Sequence, residues 1–158
     1  MGDALATVQE LQNLLAEAKR IAKRFYQLTG KPLGVTGEVA EFEAANLLGL
    51  ELAPAREAAI DATKRVDGKI ITFQIKGRAV NPKKRYVGRV SKMKLEPRFD
   101  KALLVLIDKQ TYETLEIWQT DYELVRERLK RPGSKARNER ASLGISQFKS
   151  ISKQVWPL

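Results

Sequence analysis

The stretch EAAIDATKRVDGKIITFQIKG, running from Glu57 to Gly77, decides how this chain is read. At its middle stands Asp67-Gly68, the dipeptide that most favours a two-residue hairpin turn, because both central positions need positive φ. With that turn Val66 faces Lys69, and the residue numbers of every cross-strand pair sum to 135. Thr63 then opposes Thr72, Asp61 opposes Gln74 and Ala59 opposes Lys76. On the other face Ile60 meets Ile75 and Ala62 meets Phe73, so one side is apolar and the other polar at the strand period of two.

Toward the N-terminus, Thr36 is placed to cap a helix that runs to about Leu48 and is closed by Gly49. Before it, Thr29 to Gly34 holds two glycines and a proline and breaks the chain. From Asp3 to about Leu28, Leu5, Val8, Leu11, Leu15, Ala18, Ala22 and Phe25 recur at three- and four-residue steps, the pattern of one long helix. Toward the C-terminus, Ala102 to Ile107 is an apolar run fit for a buried strand, and Thr114 to Trp118 is a second strand candidate. Asp121 to Leu129 reads as a helix ended by Pro132-Gly133, Ser134 to Arg140 as a basic loop, and Ser146 to Val155 as a closing helix. The expected fold is α/β (α+β): a mixed central β-sheet flanked by helices, with a long N-terminal helix. One domain is expected over 1–158, divided into the helix 1–30, a core 36–120 and a basic helical region 121–158.

Composition narrows the chemistry. Hydrophobic residues make up 43% and charged residues 30%, a globular balance, and 29 Lys and Arg against 19 Asp and Glu leave a charge of +10. A polyanion is the natural partner. The chain has no Cys and no His, which excludes disulfides, thiolate catalysis, imidazole metal sites and Ser-His triads. Carboxylates, lysines and a hard cation held on oxygens remain, the usual tools of phosphate chemistry. No apolar run is long enough to cross a bilayer, and MGDALATVQELQ lacks the order of a secretion signal, so a cytoplasmic, intracellular setting with no membrane partner is expected; a prokaryotic origin is a separate expectation.

Directly opposed residues on an antiparallel pair have Cβ atoms about 4.5–5.5 Å apart, so Asp61 and Gln74 are expected within reach of one cation, with Lys76 two positions along. A Mg²⁺ there binds a phosphodiester oxygen and lowers the pKa of a bound water, while Lys76 orients that water or stabilises charge on the phosphate. Asp61, thirteen residues before Gln74-Ile75-Lys76 on a strand and preceded by Glu38 in a helix, resembles the PD-(D/E)XK nuclease superfamily, whose fold is restriction-endonuclease-like. The resemblance covers about Thr36 to Gly77. It implies Asp61 as central metal ligand, Gln74 as variable ligand, Lys76 as catalytic lysine and Glu38 as helical carboxylate, with the Ile75 backbone carbonyl as a further ligand of Mg²⁺ or Mn²⁺. Glu41, three residues on, is the alternative to Glu38. Two departures stand out: Ala59-Ile60 replaces the proline that names the motif, and Gln74 replaces the usual acid, which removes one negative charge from the site. The same residues also fit a plain reading as the wet face of a hairpin.

From Lys76 to Lys101, ten Lys and Arg stand against Glu96 and Asp100, a net +8 in 26 residues. The nucleic-acid contacts expected are Arg78, Lys83, Lys84, Arg85, Arg89, Lys92, Lys94 and, from a second cluster between Arg126 and Arg140, Arg137. The leading expectation is a Mg²⁺-dependent endonuclease acting on DNA, with RNA open as a substrate and, by the resemblance, a homodimer that cuts one strand per subunit. The alternatives are a catalytically silent nucleic-acid-binding module of the same fold and a protein-interaction subunit that binds an acidic partner.

Overall fold

A computed structural model describes residues 2–53 and 59–158; Glu57 and Ala58, at the head of the decisive stretch, lie outside the described residues. Helix α1 (Gly2–Thr29) is followed by α2 (Thr36–Leu48) and the two-residue strand β1 (Glu51–Leu52). The hairpin strands β2 (Ala62–Val66) and β3 (Lys69–Val80) come next, then β4 (Lys101–Asp108) and β5 (Thr114–Asp121). The chain ends with α3 (Tyr122–Lys130), α4 (Lys135–Asn138), α5 (Ile145–Ser150) and β6 (Lys153–Trp156). The sheet keeps the sequence order β1-β2-β3-β4-β5-β6, and every neighbouring pair is antiparallel except β3 and β4, which are parallel. The expected α+β fold, with a mixed sheet flanked by helices and a long first helix, is the one formed.

The turn forms as its dipeptide dictates: Asp67 and Gly68 have φ of 50° and 78°, and Val66 faces Lys69. The predicted register holds from there to Ala62 opposite Phe73 and then stops. Ala59 has a φ of 63°, a left-handed conformation that turns the chain off the strand direction. Asp61 instead gives its backbone N–H to the Phe73 carbonyl at 2.8 Å, and its own carbonyl accepts from the Ala53 N–H at 2.8 Å. The expected oppositions of Asp61 with Gln74, Ile60 with Ile75 and Ala59 with Lys76 are therefore not strand pairs.

Strand β4 explains the two cores. Its run of apolar residues is buried on both faces: Leu103, Val105 and Ile107 pack with Val39, Ala40 and Ala44 of α2 and Ala22 of α1, while Ala102, Leu104 and Leu106 pack with Val125, Leu143 and Phe148. The second core also takes Val90, Met93 and Phe99 from the basic segment after β3, so that segment is anchored to the body. Its backbone bonds to the 141–145 segment through Val90 N–H to Leu143 O at 2.8 Å and Met93 N–H to Ala141 O at 2.9 Å.

Three local expectations change. Thr36 is the first helical residue of α2, the N-cap is Val35 without a side-chain bond, and Gly49 closes the helix at φ 68° as expected. The supposed loop from Ser134 to Arg140 contains α4, capped by the Ser134 side chain accepting from the Arg137 N–H. The closing helix stops at Ser150, and Lys153 to Trp156 forms an edge strand on β5, because the open edge of β5 offers these residues a ladder that a lone C-terminal helix turn lacks. No helix among the described residues is long and apolar enough to cross a membrane.

Candidate active site

The site is built where β2 leaves β3. Along β3 the even-numbered residues bond toward β4: the Thr72 carbonyl accepts from Asp100 N–H at 3.1 Å, and the Val80 carbonyl from Lys109 N–H at 3.0 Å. The odd-numbered residues face the β2 side, where the Phe73 carbonyl accepts from Asp61. The next odd residue, Ile75, donates its N–H to Asp61 Oδ2 at 2.7 Å, so a carboxylate stands where a strand would otherwise continue. In an extended strand the N–H and C=O of one residue leave on the same edge, which puts the Ile75 carbonyl beside Asp61 on an edge that no described strand pairs with beyond Phe73. The expected carbonyl ligand and the expected central carboxylate are thus neighbours, although Asp61 and Gln74 do not form the expected cross-strand pair.

Gly77 brings the helix in. A Cβ built there would lie 2.5 Å from Ala40 Cβ and 2.9 Å from the Thr36 carbonyl, so only glycine lets α2 approach β3 this closely. One residue beyond Ala40, Glu41 is half-buried against the site, while Glu38 is exposed. The inward carboxylate is therefore Glu41, and Glu38, expected in that role, acts on it from the rim. Sequence inspection singled out neither Gly77 nor its consequence; a glycine directly after a strand lysine was the available signal.

These groups sense one another. Glu41 is pushed up from its ordinary 4.5 to about 7, first by burial, then by the Asp61 and Glu38 carboxylates, with Lys76 opposing. Lys76 is held below its ordinary value, first by burial; Asp61 and Glu41 pull it back up and Lys94 pushes it further down. A half-buried carboxylate and a partly desolvated lysine, both shifted and both sensing Asp61, make this cluster the candidate site.

Gln74 is placed differently from its expected role as a ligand. It is 1% exposed; its Nε2 donates to the Ala59 carbonyl at 3.2 Å and the Lys94 carbonyl at 2.7 Å, and its Oε1 accepts from Lys94 N–H at 3.0 Å. Its carboxamide is spent on the backbone. Among the basic residues, Arg78, Lys83, Lys84, Arg85, Lys92 and Lys94 are exposed, with Met93 buried between the last two. Asn81 shapes the first of these turns, its Oδ1 accepting from Lys83 N–H at 3.0 Å and its carbonyl from Lys84 N–H at 3.2 Å. Arg89 is tied to Ser142, its Nε donating to Oγ at 3.2 Å and its Nη2 to the carbonyl. Arg137, expected on the groove wall, is 9% exposed and donates to the Arg131 carbonyl at 2.8 and 3.0 Å and the Pro132 carbonyl at 2.6 Å. Its guanidinium fills the space over Gly133 and closes the turn between α3 and α4, so it is withdrawn from any phosphate.

Comparison with protein-family models gives no match, and a search of curated proteins gives none either. The donor chemistry has to speak for itself. Among the described residues no three carboxylates stand close enough to hold a metal between them. Asp61 keeps Oδ1 free of hydrogen bonds to described residues, Glu41 is a carboxylate that burial disfavours in its charged form, and the Ile75 carbonyl shares their edge. One or two carboxylates plus a carbonyl, completed by water, is a set that suits Mg²⁺, and a cation there would relieve the strain on Glu41.

Proposed function

We propose that this chain is a metal-dependent nuclease of the PD-(D/E)XK type that hydrolyses DNA phosphodiester bonds. The observation that carries the reading is the Asp61 carboxylate fixed on the Ile75 N–H at the edge of β3, in electrostatic reach of Glu41 and Lys76 and next to the exposed basic residues of the segment that follows. Asp61, Glu41 and the Ile75 carbonyl would hold Mg²⁺ or Mn²⁺, which would lower the pKa of a bound water so that it could lose its proton and attack phosphorus as hydroxide. Lys76 donates to the non-bridging oxygen whose charge grows in the transition state; its shortage of solvent makes that contact stronger than an exposed lysine could offer. Arg78, two residues along the same strand face, and Lys94 hold the flanking phosphates, while Lys83, Lys84, Arg85 and Lys92 extend the electrostatic track. A pair of copies, each cutting one strand, belongs to the same reading, supported by Leu14, Ile21 and Leu28, which α1 leaves exposed at seven-residue steps.

One observation favours a second reading, a silent nucleic-acid-binding module: the residue at the usual acid position, Gln74, is spent on backbone partners. The two separate when supercoiled plasmid, linear duplex, branched junction, single-stranded DNA and RNA are incubated with Mg²⁺ or Mn²⁺ beside a Lys76→Ala control. Cutting of one substrate by wild type alone supports the nuclease. Retained binding with no cutting by either protein supports the module.

A further inference from the structure

Gln74 sits on β3 between Thr72, whose backbone is tied to Asp100, and Lys76. Its side chain is as buried as the core, yet its three hydrogen bonds all go to the main chain of two segments remote in sequence. Lys94 gives it an N–H and a carbonyl, so carboxamide and peptide pair like two strand residues. Ala59 gives it the carbonyl that its left-handed turn exposes. Both hydrogens of the amide are used, and the oxygen is occupied by an N–H. This pattern also fixes which end is nitrogen, since the reverse assignment would set oxygen against two carbonyls.

Each fastened segment carries a member of the site. Asp61 follows Ala59 by two residues, and Lys94 is the member of the basic segment whose charge reaches Lys76. We propose that Gln74 is a positioning residue: its carboxamide ties the 81–100 segment and the Ala59 turn to β3, setting Lys94 and Asp61 on either side of Lys76. The inference rests on the reading of that cluster as the phosphodiester site. It also gives a physical reason for a neutral amide where the resembling family carries an acid. A carboxylate at this position cannot donate, so it would press an oxygen against the Ala59 and Lys94 carbonyls, now at 3.2 and 2.7 Å from Nε2, and bury an unpaired charge.

The consequence runs against ligand logic. If Gln74 were a metal ligand, Gln74→Glu would add charge to the site, tighten Mn²⁺ binding and keep or raise cutting. With Gln74 as a fastener, the same substitution loosens the 81–100 segment and lowers nucleic-acid affinity even without metal.

The decisive experiment is amide hydrogen exchange on the metal-free full chain, with DNA affinity measured in chelator on the same samples. In wild type the Lys94 N–H should exchange at least about tenfold more slowly than that of exposed Lys92. Gln74→Glu and Gln74→Met should each erase about tenfold of that protection and weaken DNA binding, and Lys94→Ala should weaken DNA binding while keeping the protection. Unprotected Lys94 in wild type overturns the proposal without any variant being needed. Unchanged protection in a folded Gln74→Glu, with tighter Mn²⁺ binding, overturns it equally. Neither readout requires cleavage, so a wild-type protein that cuts nothing would defeat the nuclease reading while leaving this test intact.

Discussion

Glu41→Gln should make the protein more stable at neutral pH while destroying its proposed activity. Folded Glu41 holds its proton until about pH 7, whereas the ordinary value of 4.5 applies once the chain unfolds. Between those values the folded state binds more protons, so stability falls as pH rises; the contribution is fully present below 4.5 and lost above about 7. At about 1.4 kcal/mol per pH unit the interval from 4.5 to about 7 gives a ceiling of about 3.5 kcal/mol. Glu41 is only half-buried, and solvent screening brings the expected effect to roughly 1–2 kcal/mol. Urea unfolding of wild type and variant in chelator, at about pH 4 and about pH 8, reads it directly. The two should match at the acid end and differ by roughly 1–2 kcal/mol in favour of the variant at the alkaline end. Saturating Mn²⁺ should narrow the gap by stabilising wild type alone. Equal stability at both pH values, or a less stable variant at alkaline pH, refutes the claim that this carboxylate is held at a cost.

Gly77→Ala should lower stability by about 1–3 kcal/mol and cut activity more than that loss of folded protein explains, because the added methyl pushes α2, and Glu41 with it, away from the strand; thermal melts and turnover per folded molecule measure the two parts. The basic residues divide by their partners. Arg85→Ala should reduce the slope of log affinity for DNA against log salt by about 1, since an exposed guanidinium meets one phosphate. Arg137→Ala should leave that slope alone and cost about 1–3 kcal/mol of stability, since it removes charge-assisted bonds to two carbonyls, leaving Arg131 O only its bond from Asn138 Nδ2 and Pro132 O without a described donor.

What could be read from the residues follows from how local the determinants are. Asp67-Gly68 carries its own conformational demand, so the turn and five cross-strand pairs came out as the dipeptide requires. The run Ala102 to Ile107 had to be buried on both faces and is, and Gly49 ends its helix for a reason that needs no neighbours. The failures have distant causes. Nothing near Ala59 announces a left-handed alanine, which ends the ladder and takes Asp61 out of register with Gln74. The fate of Gln74 is decided twenty residues later, by Lys94, and that of Arg137 by carbonyls it meets only after the chain has turned. The strand at Lys153 to Trp156 depends on the free edge of β5, which does not exist until the sheet does. For the candidate site, the types and spacing of Asp61 and Lys76 drew attention to this place, whereas preferring Glu41 to Glu38 as the inward carboxylate needed the close approach at Gly77.

The central claim is that Asp61 and Glu41 serve one cation beside Lys76. A double-mutant cycle on single-turnover cleavage, using Asp61→Asn, Glu41→Gln and the pair, tests it most directly. The account predicts that each single change slows the reaction by about two orders of magnitude or more and that the double variant is scarcely slower than the worse single one, as for residues acting as a unit. Losses that multiply independently, or wild-type cleavage untouched by either change, would contradict it.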